Sequence, residues 1–327
     1  MIKRGIIIDT KEAWVKNWLL YCDEKNIVPW EFDFKQCYLK NDIQASDSSL
    51  MLELDYLSNH LSERNKKLHP FAKENDKPHC DREPVYIYDL LDWNPQEIEN
   101  LRGDCMNSFK TTFNRLLAVN KSPFSKENEV TWQEVFSEIP KLDKWYSEAK
   151  MSDIEKFYFN KHNLERLEKE KTTINLLQEI KRFSKLTHSI GNFIVLLSWM
   201  NQGRGIGNCR DYWDLTLKDL RDSWVHLEYG DKMWESFVKK YYLQPFVDSN
   251  YMVREFWHHH FENKVPNAIE EFEKFYFTVN LLIMERGKWI TKILCEKLGL
   301  VDLTCYKKEE LDKMANIRWF SEIITEE

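Results

Sequence analysis

Pro266-Asn-Ala-Ile-Glu-Glu-Phe-Glu-Lys-Phe-Tyr-Phe-Thr-Val-Asn-Leu-Leu-Ile-Met-Glu-Arg-Gly-Lys-Trp-Ile-Thr-Lys-Ile-Leu-Cys-Glu-Lys-Leu298, followed by Gly299, is the stretch on which the fold reading turns. Proline is tolerated in the first turn of a helix, where its missing N–H leaves nothing unbonded, and glycine commonly stands just past a helix end. The segment therefore predicts one helix from just after Pro266 to about Leu298. Its most apolar part, Phe275 to Met284, is interrupted by Thr278 and Asn280 and is far shorter than the roughly 20 residues of a membrane span.

Helical signals extend outward from there. Trp14, Trp18 and Cys22 lie four apart in a segment beginning at Thr10, and apolar residues recur at 50, 54, 57 and 61. Thr131-Trp-Gln-Glu134 and Ser152-Asp-Ile-Glu155 have the form of capping boxes, which fix helix starts. A charged helical segment runs from Ser152 to about Leu186, and a last helix is expected over roughly Lys308 to Ile324. Strand candidates are few: Gly5–Asp9, Val85–Tyr88 and Phe193–Leu197. No β-α-β alternation accompanies them. The expected fold is mainly α, a single large helical domain over 1–327 with a minor β element. The polar loop 68–84 marks the one candidate sub-boundary.

The chain has 327 residues, 43% of them hydrophobic and 14% aromatic, which is ample for a large core and speaks against disorder. A net charge of −7 means that a nucleic-acid backbone would need a local basic cleft, since the protein as a whole repels it. The seven cysteines contain no Cys-x-x-Cys, so neither a structural zinc site nor a disulfide framework is expected, and the reading is of reduced thiols in the cytoplasm. The apolar run at the N-terminus is too short for a signal peptide. No membrane partner is expected.

Chemistry concentrates in His188-Ser-Ile-Gly-Asn192, continuing through Asn201, Gly203-Arg-Gly-Ile-Gly207 and Arg210 to Asp211-Tyr-Trp-Asp-Leu-Thr-Leu217. Four of only nine glycines fall here (Gly191, Gly203, Gly205 and Gly207), which points to unusual backbone angles or close backbone approach. Around them stand His188, Asn192, Asn201, Arg204, Arg210 and Asp211, polar groups suited to binding or reaction. Asp214 is expected to cap the helix that follows. A second block, Leu101-Arg-Gly-Asp-Cys-Met-Asn-Ser-Phe109, places Arg102, Asp104 and Asn107 beside another scarce glycine. Polar groups gathered in this way predict that the two blocks meet at one hydrogen-bonded site.

Together these blocks resemble a family of bacterial cytosolic proteins, with coverage from about Glu31 to Phe261. The resemblance implies a shared fold and a bacterial or phage origin, and it brings no activity with it. Locally, Gly191-Asn192-Phe193, Leu196-Leu197-Ser198 and Asn201 resemble the C-terminal half of HNH-type nucleases. Such enzymes use a histidine to activate water and a metal to steady the phosphorane oxygens. Their upstream Glu-His-Ile-x-Pro block has no counterpart here; the nearest upstream histidine, His162, lies in a Lys- and Glu-rich context.

A metal-free alternative is an Arg/His pair of the kind found in HEPN-type ribonucleases. Arg64 with His69, Arg182 with His188, Arg221 with His226, and Arg254 with His259 or His260 have the spacing. Arg221 and His226 are the preferred pair, because they follow the glycine-rich block. His258–His260 cannot face one ion from a helix, where neighbours point about 100° apart. His79-Cys80 lacks a second half-site, and no metal ligand is assigned.

The leading expectation is a protein acting on nucleic acid or nucleotides, plausible in phage defence, with His188, Arg221 and His226 as catalytic candidates. The competing expectation is a non-catalytic interaction or regulatory module whose glycine block is structural. The sequence names no cofactor, and it leaves open a homo-oligomer or a protein partner.

Overall fold

A computed structural model describes residues 11–32, 34, 84–93, 101–107, 112, 178–179, 182–183, 185–197, 212–222, 231–254 and 269–324. In chain order the elements are α1 (Lys11–Glu24), a 3-10 turn (Pro29–Glu31), α2 (Val85–Leu90), β1 (Leu101–Cys105), a 3-10 turn (Ile190–Asn192) and β2 (Phe193–Leu197). There follow α3 (Trp213–Leu220), α4 (Asp231–Lys240), a 3-10 turn (Gln244–Phe246), α5 (Ile269–Lys297), α6 (Thr304–Lys307), α7 (Glu309–Asp312) and α8 (Phe320–Ile324). Among the described residues the fold is mainly helical with a small two-stranded sheet, as the sequence predicts.

α5 is the axis. At 1.5 Å per residue its 29 residues span about 43 Å. Phe272, Phe275, Tyr276, Val279, Leu282, Ile283, Ile290 and Leu294 are all fully buried, at the three- and four-residue spacing of an apolar helix face. The helix ends where expected. Gly299 takes a left-handed φ of +66°, which lets Leu300 N–H bond back to Cys295 O at 2.8 Å and satisfies a carbonyl that the helix leaves over. Among the described residues no helix is long and apolar enough to cross a membrane.

α1 buries Trp14, Val15, Trp18, Leu19 and Cys22 along one side and packs against α2. The ring of Trp14 meets Tyr86 edge-on at 5.8 Å. Trp93, just past α2, stacks on Tyr88 and donates its indole N–H to Lys240 O at 2.7 Å, which ties α2 to the end of α4.

β1 and β2 pair antiparallel, with Leu101 opposite Leu197 and Cys105 opposite Phe193. Phe193, Ile194, Val195 and Leu196 are all buried, so β2 has apolar contacts on both faces. That explains why its sequence is a continuous apolar run and not an alternating one.

Four local expectations are corrected. Val85–Tyr88 is helical, not a strand. The β propensity of Val, Tyr and Ile yields to a short helix after Pro84, which buries Tyr86, Ile87 and Tyr88 against α1 and its neighbours. β1 carries a strand that its block did not announce. Asp214 does not cap α3: Tyr212 holds the N-cap position and Asp214 lies buried in the first turn, where a carboxylate meets the positive end of the helix. The helix expected over 308–324 is broken at 313–319. Arg318 leaves the helical path to bond Glu285, and Trp319 N–H is capped by Glu322 Oε2 at 2.7 Å, which starts α8 afresh. The strand at Gly5–Asp9, the helix at 50–61, both capping boxes and the loop through 83 lie outside the described residues.

Candidate functional site

The two signature blocks meet. Strand pairing brings 101–105 alongside 193–197, and a knot of carboxamides closes the end of the ladder. Met106 N–H donates to Asn192 O at 2.8 Å. Asn192 Oδ1 accepts from both the backbone N–H and the Nδ2 of Asn107, at 3.1 and 3.0 Å. Asn192 Nδ2 gives its two hydrogens to Asn107 O and Thr187 O, at 2.8 and 2.7 Å. Both asparagines are fully buried, and a buried carboxamide is tolerated where its donors and acceptors are matched. All four hydrogen-bonding positions of Asn192 are filled by the chain itself.

Asn107 reaches further. Its Oδ1 accepts Trp213 N–H at 2.9 Å, so the first free N–H of α3 is capped by a residue 106 positions upstream. This takes over the role expected of Asp214. Thr187 Oγ1 donates to Asn107 O at 3.4 Å, and Cys105 Sγ donates to Thr187 O at 3.1 Å.

Gly191 closes the other side. A Cβ built on it would lie 2.0 Å from Ile283 O and 3.0 Å from Gly287 N, both backbone atoms of α5. Its φ is not left-handed; close approach, not an unusual backbone angle, is what demands glycine here. Gly287 mirrors it across the contact: a Cβ there would lie 2.7 Å from Trp30 Cβ. Gly203, Gly205 and Gly207 lie outside the described residues.

The sequence reading missed Arg286. Its guanidinium is wholly buried, donating from Nε to Tyr241 O at 3.0 Å and from Nη1 to Gly191 O at 2.7 Å and Phe193 O at 2.6 Å. The group sits 5.0 Å from the centre of the Trp93 ring. One side chain thus ties α5 to the turn before β2 and to the end of α4. Burial lowers its pKa to about 9, against a smaller opposing effect of Tyr88. The available signal was a Glu-Arg-Gly triplet directly after the apolar run Phe275–Met284 of this helix, where a charge is expensive unless it is held.

Among the remaining described candidates, Arg102 and Asp104 lie on β1 and His188 in the turn that leads into β2, while Arg182 and Arg221 lie elsewhere. His188 is buried in the turn before Ile190–Asn192, and its carbonyl accepts Phe34 N–H at 3.1 Å. Asp104 is half-buried on β1, with Oδ1 accepting Cys105 N–H at 2.8 Å. Arg102 pairs in register with Leu196. Arg182 donates to Met284 Sδ at 2.7 Å. Arg221 lies at the end of α3, where its guanidinium bonds Asp222 at 3.0–3.1 Å and approaches Met252 Sδ at 3.5 Å. Asn201, Arg204, Arg210, Asp211 and His226 lie outside the described residues. Among the described residues no group of three His, Cys, Asp or Glu side chains is placed to hold a metal ion. Cys22, Cys105, Cys295 and Cys305 are in no disulfide.

Comparison of the chain with protein-family models, with curated proteins and with solved structures gives no match.

Proposed function

We propose that this protein is a non-catalytic interaction or regulatory module, in which the two signature blocks serve the fold. The observation that carries this reading is the complete engagement of the Asn192 carboxamide and its pairing with Asn107. Their amide groups bond each other, Thr187 O and the first N–H of α3. Gly191 meanwhile touches the α5 backbone with no room for a methyl group, still less a ligand. An asparagine that serves an HNH-type site must turn its carboxamide toward metal or substrate, and here that would break bonds on which three elements depend.

The reading in nucleic acid or nucleotides, with phage defence as its setting, draws on Asn201, Arg204, Arg210, Asp211 and His226, with His188 and Arg221. One set of experiments separates the two. The purified protein is incubated with labelled RNA, DNA and nucleotides, with and without divalent metal, beside a plaque assay and thermal melts of His188→Gln and Arg204→Ala. The module reading expects no turnover of any substrate. Turnover or phage protection that is lost in variants with unchanged Tm would overturn it in favour of a nucleic-acid enzyme.

A further inference from the structure

Past Gly299 the chain reverses and brings α6 back against α5. Two hydrogen bonds fix the return. The Tyr306 hydroxyl donates to Glu296 Oε1 at 3.0 Å, and Thr304 N–H donates to Asp23 Oδ1 at 2.7 Å. Each bond joins residues next to cysteines, so Cys305 on α6, Cys295 on α5 and Cys22 on α1 gather in the core. Cys295 and Cys305 meet directly: the Cys295 thiol donates a hydrogen bond to the Cys305 sulfur. Neither is in a disulfide. Among the described residues no three His, Cys, Asp or Glu side chains are placed to hold a metal ion, so the chemistry open to this pair is that of two thiols.

The two thiols are unequal. Cys295 is wholly buried, and its bond to Cys305, with burial, raises its pKa. Cys305 is 4% exposed and sits in a single helical turn between the exposed Thr304 and Lys307. The bond from Cys295 lowers its pKa, against burial and the Asp23 carboxylate, and the backbone N–H groups of Tyr306 and Cys305 add to the lowering. Burial pushes the Cys22 thiol up, which keeps it protonated. The thiolate is the reactive form of cysteine, and cysteines that sense oxidants pair a lowered pKa with a second cysteine alongside.

We propose that Cys305 and Cys295 form a peroxide-responsive pair, a modification site at which the resting dithiol closes to a disulfide. The Cys305 thiolate attacks one oxygen of hydrogen peroxide. The O–O bond breaks, the departing hydroxide takes up a proton as water, and Cys305 becomes a sulfenic acid. Cys295 Sγ then attacks the Cys305 sulfur. The S–S bond forms as the S–O bond breaks, and the second hydroxide leaves as water with the Cys295 proton. Two thiols and one peroxide thus give one disulfide and two waters. Access is provided by α6 itself: Cys305 is its one buried side chain, and a turn so lightly anchored opens locally.

The new bond pins α6 to α5. From α6 the chain runs through α7 into the wall of a cleft of about 1110 Å³ that Tyr242, Trp289, Glu310 and Trp319 help to line, so oxidation stiffens that wall. The proposal goes beyond the interaction-module reading and does not depend on it.

The test uses the full chain, reduced, treated with hydrogen peroxide, blocked at its remaining thiols and mapped as tryptic peptides by mass spectrometry without reductant. Cys295 and Cys305 fall on different peptides, 293–297 and 298–307. The expected result is that these two peptides are joined and that dithiothreitol separates them. Cys22→Ser should keep the link. A Cys295→Ala chain that melts like wild type should stop at the first step and carry a dimedone adduct on Cys305. In the oxidised wild type, amide hydrogen exchange over 300–308 should slow by about tenfold or more. Unchanged thiols, a link to Cys22 or any other cysteine, exchange as fast as in the reduced chain, or a dimedone adduct missing from Cys305 would overturn the proposal. The wild-type map needs no variant, so it decides even where Cys295→Ala fails to fold. None of these results bears on Asn107 and Asn192, whose test is stability and turnover.

Discussion

Replacing Gly191 with alanine puts a methyl group 2.0 Å from Ile283 O, about 1 Å inside the closest approach that real Cβ atoms make. The obstacle is helix backbone, which cannot rotate away as a side chain can. The turn Ile190–Asn192 and α5 must therefore separate, and forced overpacking of this kind costs about 1–3 kcal/mol. Separation also stretches the 2.7 Å bond from Arg286 to Gly191 O, a bond from a charged donor worth about 1.5–3 kcal/mol. Against this stands the reduced freedom of the unfolded chain, about 0.4–1 kcal/mol in alanine's favour. The net expectation is a loss of about 3 kcal/mol, a large share of the roughly 5–15 kcal/mol by which domains are stable. For a chain of this length that lowers Tm by about 5 °C. Urea and thermal unfolding monitored by tryptophan fluorescence would read it. Gly299→Ala is the control: nothing lies within 4 Å of its Cβ, so only the left-handed φ of +66° opposes it, at about 1 kcal/mol. If Gly191→Ala were as stable as wild type, or no worse than Gly299→Ala, the close-approach argument would fail.

Three further outcomes are expected. Asn192→Asp keeps the shape but points a carboxylate at Asn107 O and Thr187 O, so it should cost about 3 kcal/mol or more; a midpoint of urea unfolding equal to that of wild type would refute the carboxamide clamp. Arg286→Lys cannot serve three carbonyls in two directions and leaves a charge in the core, so it should destabilise by about 3–5 kcal/mol, and an unchanged melt would show that the guanidinium is dispensable. Between pH 8 and 10.5 the Tm should fall. Burial raises the pKa of Tyr241 and Tyr276 above 10.0 and that of Cys22 above 9.0, so the unfolded chain releases these protons first and stability is lost as pH rises through their unfolded values. Arg286, lowered from 12.5 to about 9, acts in the opposite sense but is one group against three. A Tm that rises over that range, or a Tyr276→Phe variant that falls as steeply as wild type, would contradict this assignment.

The sequence alone determined the features that depend on neighbours along the chain. α5 was legible because helix period, an N-terminal proline and a C-terminal glycine are local signals, and Gly299 does stop it. β2 was legible as a short apolar run, and the meeting of the two blocks followed from scarce glycines set among polar residues. Only the tertiary structure decided what those residues do. Val85–Tyr88 has the composition of a strand, yet it folds as a helix because Tyr86, Ile87 and Tyr88 can all be buried that way. Asp214 looks like a cap, yet the cap comes from Asn107, 106 residues before Trp213. Asn107 and Asn192 have the composition of a binding site, and each becomes the other's partner only when two distant segments pair. The cleft was invisible for the same reason: Tyr242, Trp289 and Trp319 are 30 to 77 positions apart, and no local pattern records that α5 brings them to one wall. A hydrogen-bond partner is a property of position in space, and spacing along the chain encodes it only within a helix turn or a strand.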